Sequence, residues 1–129
     1  MKIKSFIRGI AAVALAVGTA LAAAGETGYS KAAFDAAVGA GKPVIVDFAA
    51  SWCPTCKAQK PIVDALMTEA KRKDVTLFKA DYDTESALKK QLRVTQQSTF
   101  VVFKGGKEVG RSTGQTQRDE IAALFDKAL

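Results

Sequence analysis

Cys53 and Cys56 are the only cysteines among 129 residues, and they stand three positions apart in the stretch ASWCPTCKAQKP (50–61), beside the only tryptophan, Trp52. Such a pair has three uses: a structural clip, a metal site or a working redox couple. A disulfide that closes so small a loop removes little chain entropy, so stability alone hardly accounts for it. A zinc or copper site needs more soft ligands than two thiolates supply, and the chain contains no histidine, which leaves only a metal shared between two chains. Redox chemistry fits the pattern best. The thiolate is the nucleophile, and a cysteine at a helix N-terminus is stabilised in that form by unpaired N–H groups and by the helix dipole. If a helix begins here, Cys53 is the attacking thiol and Cys56, one turn further on the same face, is the resolving thiol.

The surrounding sequence supplies that helix. From Cys53 to about Lys73, Ile62, Val63, Leu66, Met67 and Ala70 recur at three- and four-residue spacing. Pro54 suits a first turn, and Pro61 inside the helix removes one hydrogen bond and predicts a kink. Upstream, Ser30 caps a helix through SKAAFDAAVGA, which Gly41-Lys42-Pro43 ends. VIVDFAA (44–50) is a continuous apolar run, as expected of a strand covered on both faces. VTLFKAD (75–81) reads as a second strand and TESALKKQL as a short helix. STFVVF (98–103), the Gly105-Gly106 turn and KEVGRSTG form an antiparallel hairpin. Thr116 with Asp119 resembles a capping box for a last helix that aligns Ile121, Leu124, Phe125 and Ala128. The order β-α-β then β-β-α gives an α/β fold, a mixed sheet with helices on both faces.

Asp47 interrupts the apolar strand. An unpaired buried carboxylate is costly and its pKa rises, unless the strand exposes this position to solvent.

The N-terminus sets the compartment. MKIKSFIRG carries three positive charges, and the uncharged run IAAVALAVGTALAAA ends in small residues, the pattern of a cleavable secretory signal over residues 1–24. The alternative is retention as an uncleaved anchor, for which the apolar run is short. Residues 25–129 then form one domain of 105 residues. Loss of Lys2, Lys4 and Arg8 leaves 16 basic against 13 acidic residues, with no basic run or face that suits nucleic acid. The mature chain is expected to be soluble and monomeric, in a periplasm if the source is Gram-negative.

Over nearly its whole mature length the chain resembles thioredoxins. The matching residues are KPVIVDFAASWCPTCK, Pro61, FKADYD and FVVFKGGKEVGRSTG. The resemblance implies the thioredoxin fold, with Asp47 beneath the disulfide as acid/base for Cys56 and Lys79 biasing its charge. It also implies a contact surface formed by Trp52, Pro54, Thr55 and the segment Gln97, Ser98 and Thr99. The Pro-Thr dipeptide is similar to that of thioredoxin-like proteins that keep apocytochrome thiols reduced. One departure stands out: thioredoxins place a cis-proline where this chain has Ser98, and only Pro43, Pro54 and Pro61 occur. A non-proline cis bond costs about 3–4 kcal/mol, so a trans peptide or a rebuilt loop is expected. The Ser98 hydroxyl is either near Cys53 or turned to solvent.

These residues point to a periplasmic thiol–disulfide oxidoreductase acting as a reductant. No cofactor beyond the Cys53–Cys56 pair and no metal is implied, since Gly105-Gly106 lacks the strand-turn-helix context of a phosphate loop. The expected partners are cysteine-containing secreted proteins and a membrane electron-transfer protein as donor. The rival readings are an oxidant that donates its disulfide, and a non-enzymatic metal-binding or interaction module.

Overall fold

The computed structural model describes residues 12–14 and 24–129, so the leader expected over residues 1–24 lies almost wholly outside the described residues. Strands β1 (Gly25–Gly28), β2 (Val44–Ala49), β3 (Thr76–Asp81), β4 (Thr99–Lys104) and β5 (Lys107–Thr113) form one sheet in the order β1-β3-β2-β4-β5. The first three are mutually parallel, and β4 and β5 run antiparallel to their neighbours. Helices α1 (Lys31–Gly39), α2 (Pro54–Met67), α3 (Ser86–Leu92) and α4 (Arg118–Asp126) cover its faces.

Strand alternation decides which helix meets which side chain. Val44, Val46 and Phe48 of β2 share one core cluster with Phe34 of α1, Leu88 of α3, Phe78 of β3 and Val101 of β4. Ile45 belongs to the opposite cluster, with Val63 and Leu66 of α2, Ile121 and Phe125 of α4, and Leu77, Phe100 and Val102 of the sheet. Because β2 is central and coated on both sides, its sequence is a continuous apolar run rather than an alternating one. The one polar residue in it, Asp47, shares the parity of Ile45 and so belongs to the α2/α4 side.

Local chemistry explains some of the element ends. The Ser30 side chain accepts from the Ala33 N–H at 3.3 Å and caps α1 as expected. Gly105 and Gly106 adopt φ of 59° and 81°, the left-handed pair that a tight hairpin turn requires. Elsewhere the structure departs from the sequence expectations in four places. Strand β1 carries no sequence signal: GETG has no strand pattern of its own and gains its place by pairing with Thr76–Lys79. Helix α2 stops at Met67 rather than near Lys73, and the chain re-enters a single 3-10 turn at Ala70–Arg72. There Arg72 is fully buried, donating to Glu69 and Asp126 at 2.6 Å each and to the Leu66 carbonyl at 3.2 Å. Helix α3 begins at Ser86 and not at Thr84, and ends on Arg93 in the left-handed conformation, φ 55°. The Thr116–Asp119 capping box does not form, because α4 begins one residue later and its N-cap, Gln117, makes no side-chain cap bond.

Candidate active site

Helix α2 starts where the sequence places the chemistry. Cys53 is its N-cap, Pro54 fills the first turn, and the Cys53 sulfur accepts from the Cys56 N–H at 3.1 Å. Cys53 and Cys56 form a disulfide across a Cα–Cα distance of 5.3 Å. Both are buried in this state, Cys53 at 0 % and Cys56 at 7 % exposure, in a small cluster with Ala49, Ala50 and Tyr82. Cys53 is therefore the end residue of the helix, and Cys56 is the cysteine with residual access.

Asp47 lies on the same side of the sheet as α2. Its Oδ1 is buried and finds no hydrogen-bond partner among the described residues. Burial is the main reason that its pKa is pushed up to about 6 from an ordinary 3.8, while the Lys79 charge pulls the other way. Asp47 and Lys79 are register partners on adjacent parallel strands. The Lys79 ammonium, however, makes its ion pair with Glu26 of β1, at 3.2 Å, and lies 4.0 Å from Asp64. Lys79 thus acts on Asp47 through space. A cavity of about 500 Å³ joins these groups: Asp47, Lys79, Cys56, Lys57 and Lys60 all line it. Cys56 and not Cys53 opens onto it.

The expected contact residues fall into two groups. Trp52 is 55 % exposed, with its indole N–H donating to Asp83 at 2.8 Å; Pro54 is exposed and Thr55 partly so. On the facing segment, the bond before Ser98 is trans, since no cis peptide occurs among the described residues, and Ser98 instead takes φ 56°. The absent proline is thus replaced by a left-handed turn. The Ser98 side chain is neither solvent-facing nor the source of a bond to sulfur: Ser98 is 4 % exposed and its hydroxyl donates to the Gln97 carbonyl at 2.6 Å. Thr99 is buried too, with its hydroxyl 2.8 Å from both the Gln96 carbonyl and the Thr113 hydroxyl. Gln97 keeps partial exposure.

Three residues at the site escape the sequence reading. Asp83 fixes Trp52 from 31 positions away, which no local pattern signals. Tyr82 packs on the cysteine cluster and donates to the Thr95 carbonyl at 2.9 Å. Gln59 is 2 % exposed, and its place three residues after Cys56, on the buried stripe of α2, is the available signal.

Comparison with known proteins agrees with this geometry. The thioredoxin family model matches residues 27–127. The chain is 38% identical over 84 residues to a thioredoxin of Chlamydia trachomatis serovar D, covering 65% of this chain and 80% of that protein. It is 36% identical over 102 residues to a thioredoxin H-type of Chlamydomonas reinhardtii, covering 76% and 88%. Among solved structures, Trxlp from Edwardsiella tarda EIB202 superposes with a TM-score of 0.76 at 39% identity, covering 78% of this chain and 97% of that one. Thioredoxin NaTrxh from Nicotiana alata gives 0.67 at 30%, covering 86% and 98%. A redox-capable pair at the head of α2, set in this sheet order and matched along most of the chain, makes the protein a member of the thioredoxin family and a thiol–disulfide oxidoreductase.

Proposed function

We propose that the protein is a periplasmic reductant that opens disulfides in cysteine-containing secreted proteins and is itself re-reduced by a membrane electron-transfer protein. The observation that carries the thiol–disulfide chemistry of this reading is the cavity linking the buried Asp47 carboxyl to Cys56. In the dithiol state the Cys53 thiolate attacks one sulfur of the substrate disulfide. That bond breaks, a mixed disulfide forms, and the other substrate sulfur leaves as a thiolate that takes up a proton. Asp47, ionised above about pH 6, accepts the Cys56 proton. The Cys56 thiolate then attacks the Cys53 sulfur, restoring the internal disulfide and expelling the second substrate thiolate, which receives that proton. Two electrons pass from the dithiol to the substrate. Lys79 favours the ionised Asp47 through space, and Trp52, Pro54, Thr55 and Gln97 form the contact surface, with the buried Ser98 and Thr99 setting the backbone behind it.

The leader sequence supports export. An oxidising compartment is where a reductant needs a dedicated donor. The test is a Cys56→Ala variant of the full chain expressed in a Gram-negative host. Disulfide-linked adducts in the periplasmic fraction that dissolve on reduction and vanish in a Cys53→Ala, Cys56→Ala double variant are expected. Absence of adducts, or adducts confined to the cytoplasm, would overturn the reading.

A further inference from the structure

Gln59 is an unusual residue for the buried face of an active-site helix. It lies in line with Cys56, Val63, Leu66 and Met67, at 2 % exposure. Its side-chain nitrogen donates to two backbone carbonyls that belong to different loops, Gln115 at 2.8 Å and Ser98 at 3.3 Å. Both acceptors are carbonyls, so the amide must present its NH₂ to them. Its oxygen is left buried without a partner among the described residues. An apolar side chain of the same shape would leave no such orphan, so packing does not explain a glutamine here.

The two carbonyls it holds flank the hairpin strands. Ser98 comes directly before β4, and Gln115 lies two residues after β5. The Ser98 carbonyl also accepts from the Gly114 N–H at 2.9 Å, so all three segments meet at one point, one helical turn from Cys56. The other end of the Thr95–Ser98 segment is fixed by Tyr82, which packs on the cysteine cluster and donates to the Thr95 carbonyl. The segment is therefore held at both ends by side chains of the active-site region. It contains no proline to stiffen it, and Ser98 sits in the left-handed region.

We infer that Gln59 is a positioning residue for protein substrates: by holding the Ser98 and Gln115 carbonyls it sets the wall against which an incoming polypeptide is laid across Cys53. The inference rests on the thiol–disulfide chemistry above and is independent of compartment and direction. A polypeptide needs that wall in register, whereas a small aromatic disulfide needs only the sulfur. Misplacing such a wall by an ångström is enough to cost a macromolecular substrate an order of magnitude or more.

The test compares wild type with Gln59→Met and Gln59→Leu, using insulin and 5,5′-dithiobis(2-nitrobenzoate) as the two disulfides. Unfolding midpoint and reduction potential are read alongside. The expected result is a fall of about tenfold in kcat/KM for insulin, carried by KM, with the small disulfide changed less than about twofold and with potential and midpoint held. Equal losses with both substrates, or a lowered midpoint that accounts for the loss, would reduce Gln59 to a structural residue and overturn the inference. So would an unchanged insulin rate in both variants. A wild-type protein inert towards both disulfides would overturn the oxidoreductase reading and this inference together.

Discussion

Replacing Asp47 with asparagine is expected to make the protein more stable and less active at the same pH. The Asp47 carboxyl titrates at about 6 in the folded protein against an ordinary 3.8, chiefly because burial disfavours its charged form. That difference corresponds to about 3 kcal/mol of destabilisation once the group is ionised in both states. The sign follows from proton binding. Between about pH 4 and 6 the folded protein binds the proton and the unfolded chain does not, so the contribution of this group to wild-type stability is greatest below about pH 4. It falls as the pH rises through 6 and then stays low. The Asp47→Asn substitution removes the titration, and the variant should gain on the wild type between about pH 4 and 6 and hold that gain to pH 8. The gain is at most about 3 kcal/mol, less whatever the buried amide forfeits for want of a partner. Urea unfolding at pH 4, 6 and 8, with the disulfide intact, reads this directly. Turnover moves the opposite way: loss of a positioned base is worth of order 10²-fold in the step that deprotonates Cys56. A wild type whose stability does not fall between pH 4 and 8, or an Asp47→Asn variant with the same pH profile as wild type, would refute the placement of Asp47. Undiminished turnover in that variant would refute its role.

Further predictions concern the frame. Arg93 holds φ 55° at the end of α3, so Arg93→Gly should raise stability by about 1 kcal/mol in urea unfolding, provided the bond from Arg111 to the Arg93 carbonyl survives; a loss of stability would contradict the strain assigned there. Arg72→Ala removes the buried guanidinium that bridges Glu69 and Asp126 and bonds the Leu66 carbonyl, while Arg118 and Lys71 still pair those part-exposed carboxylates, so urea unfolding should show a loss of about 1–3 kcal/mol. Hydrogen bonds from Arg72 and then Arg118 hold the Glu69 carboxyl below the ordinary carboxylate range, so its contribution is present above about pH 4.5 and fades as the pH falls through the depressed value. Wild-type acid unfolding should show that loss, and the Arg72→Ala variant should show less of it.

The parts of the fold that the sequence reveals are those in which one residue's type answers a local demand. Val44–Phe48 reads as a central strand because both its faces are covered. Cys53, Pro54 and Cys56 read as a helix start because each tolerates or exploits unpaired N–H groups. The parts that stay hidden depend on distant partners. β1 is a strand only because β3 offers an open edge, and the ion pair that draws Lys79 away from Asp47 depends on Glu26 of that same strand. The missing proline is visible in the sequence, but the left-handed Ser98 that replaces it is held by the Gly114 and Gln59 bonds to its carbonyl, which cross 16 and 39 positions. Without those contacts the thiols are plain in the sequence, and the surface that presents them is visible only in outline.

The reduction potential of the Cys53–Cys56 couple, measured by equilibration against a glutathione buffer, decides between reductant and oxidant. A reductant driven by an upstream donor should come to equilibrium near the thioredoxin value of about −270 mV. A value near about −120 mV would make the protein a disulfide donor and overturn the proposed direction of electron flow.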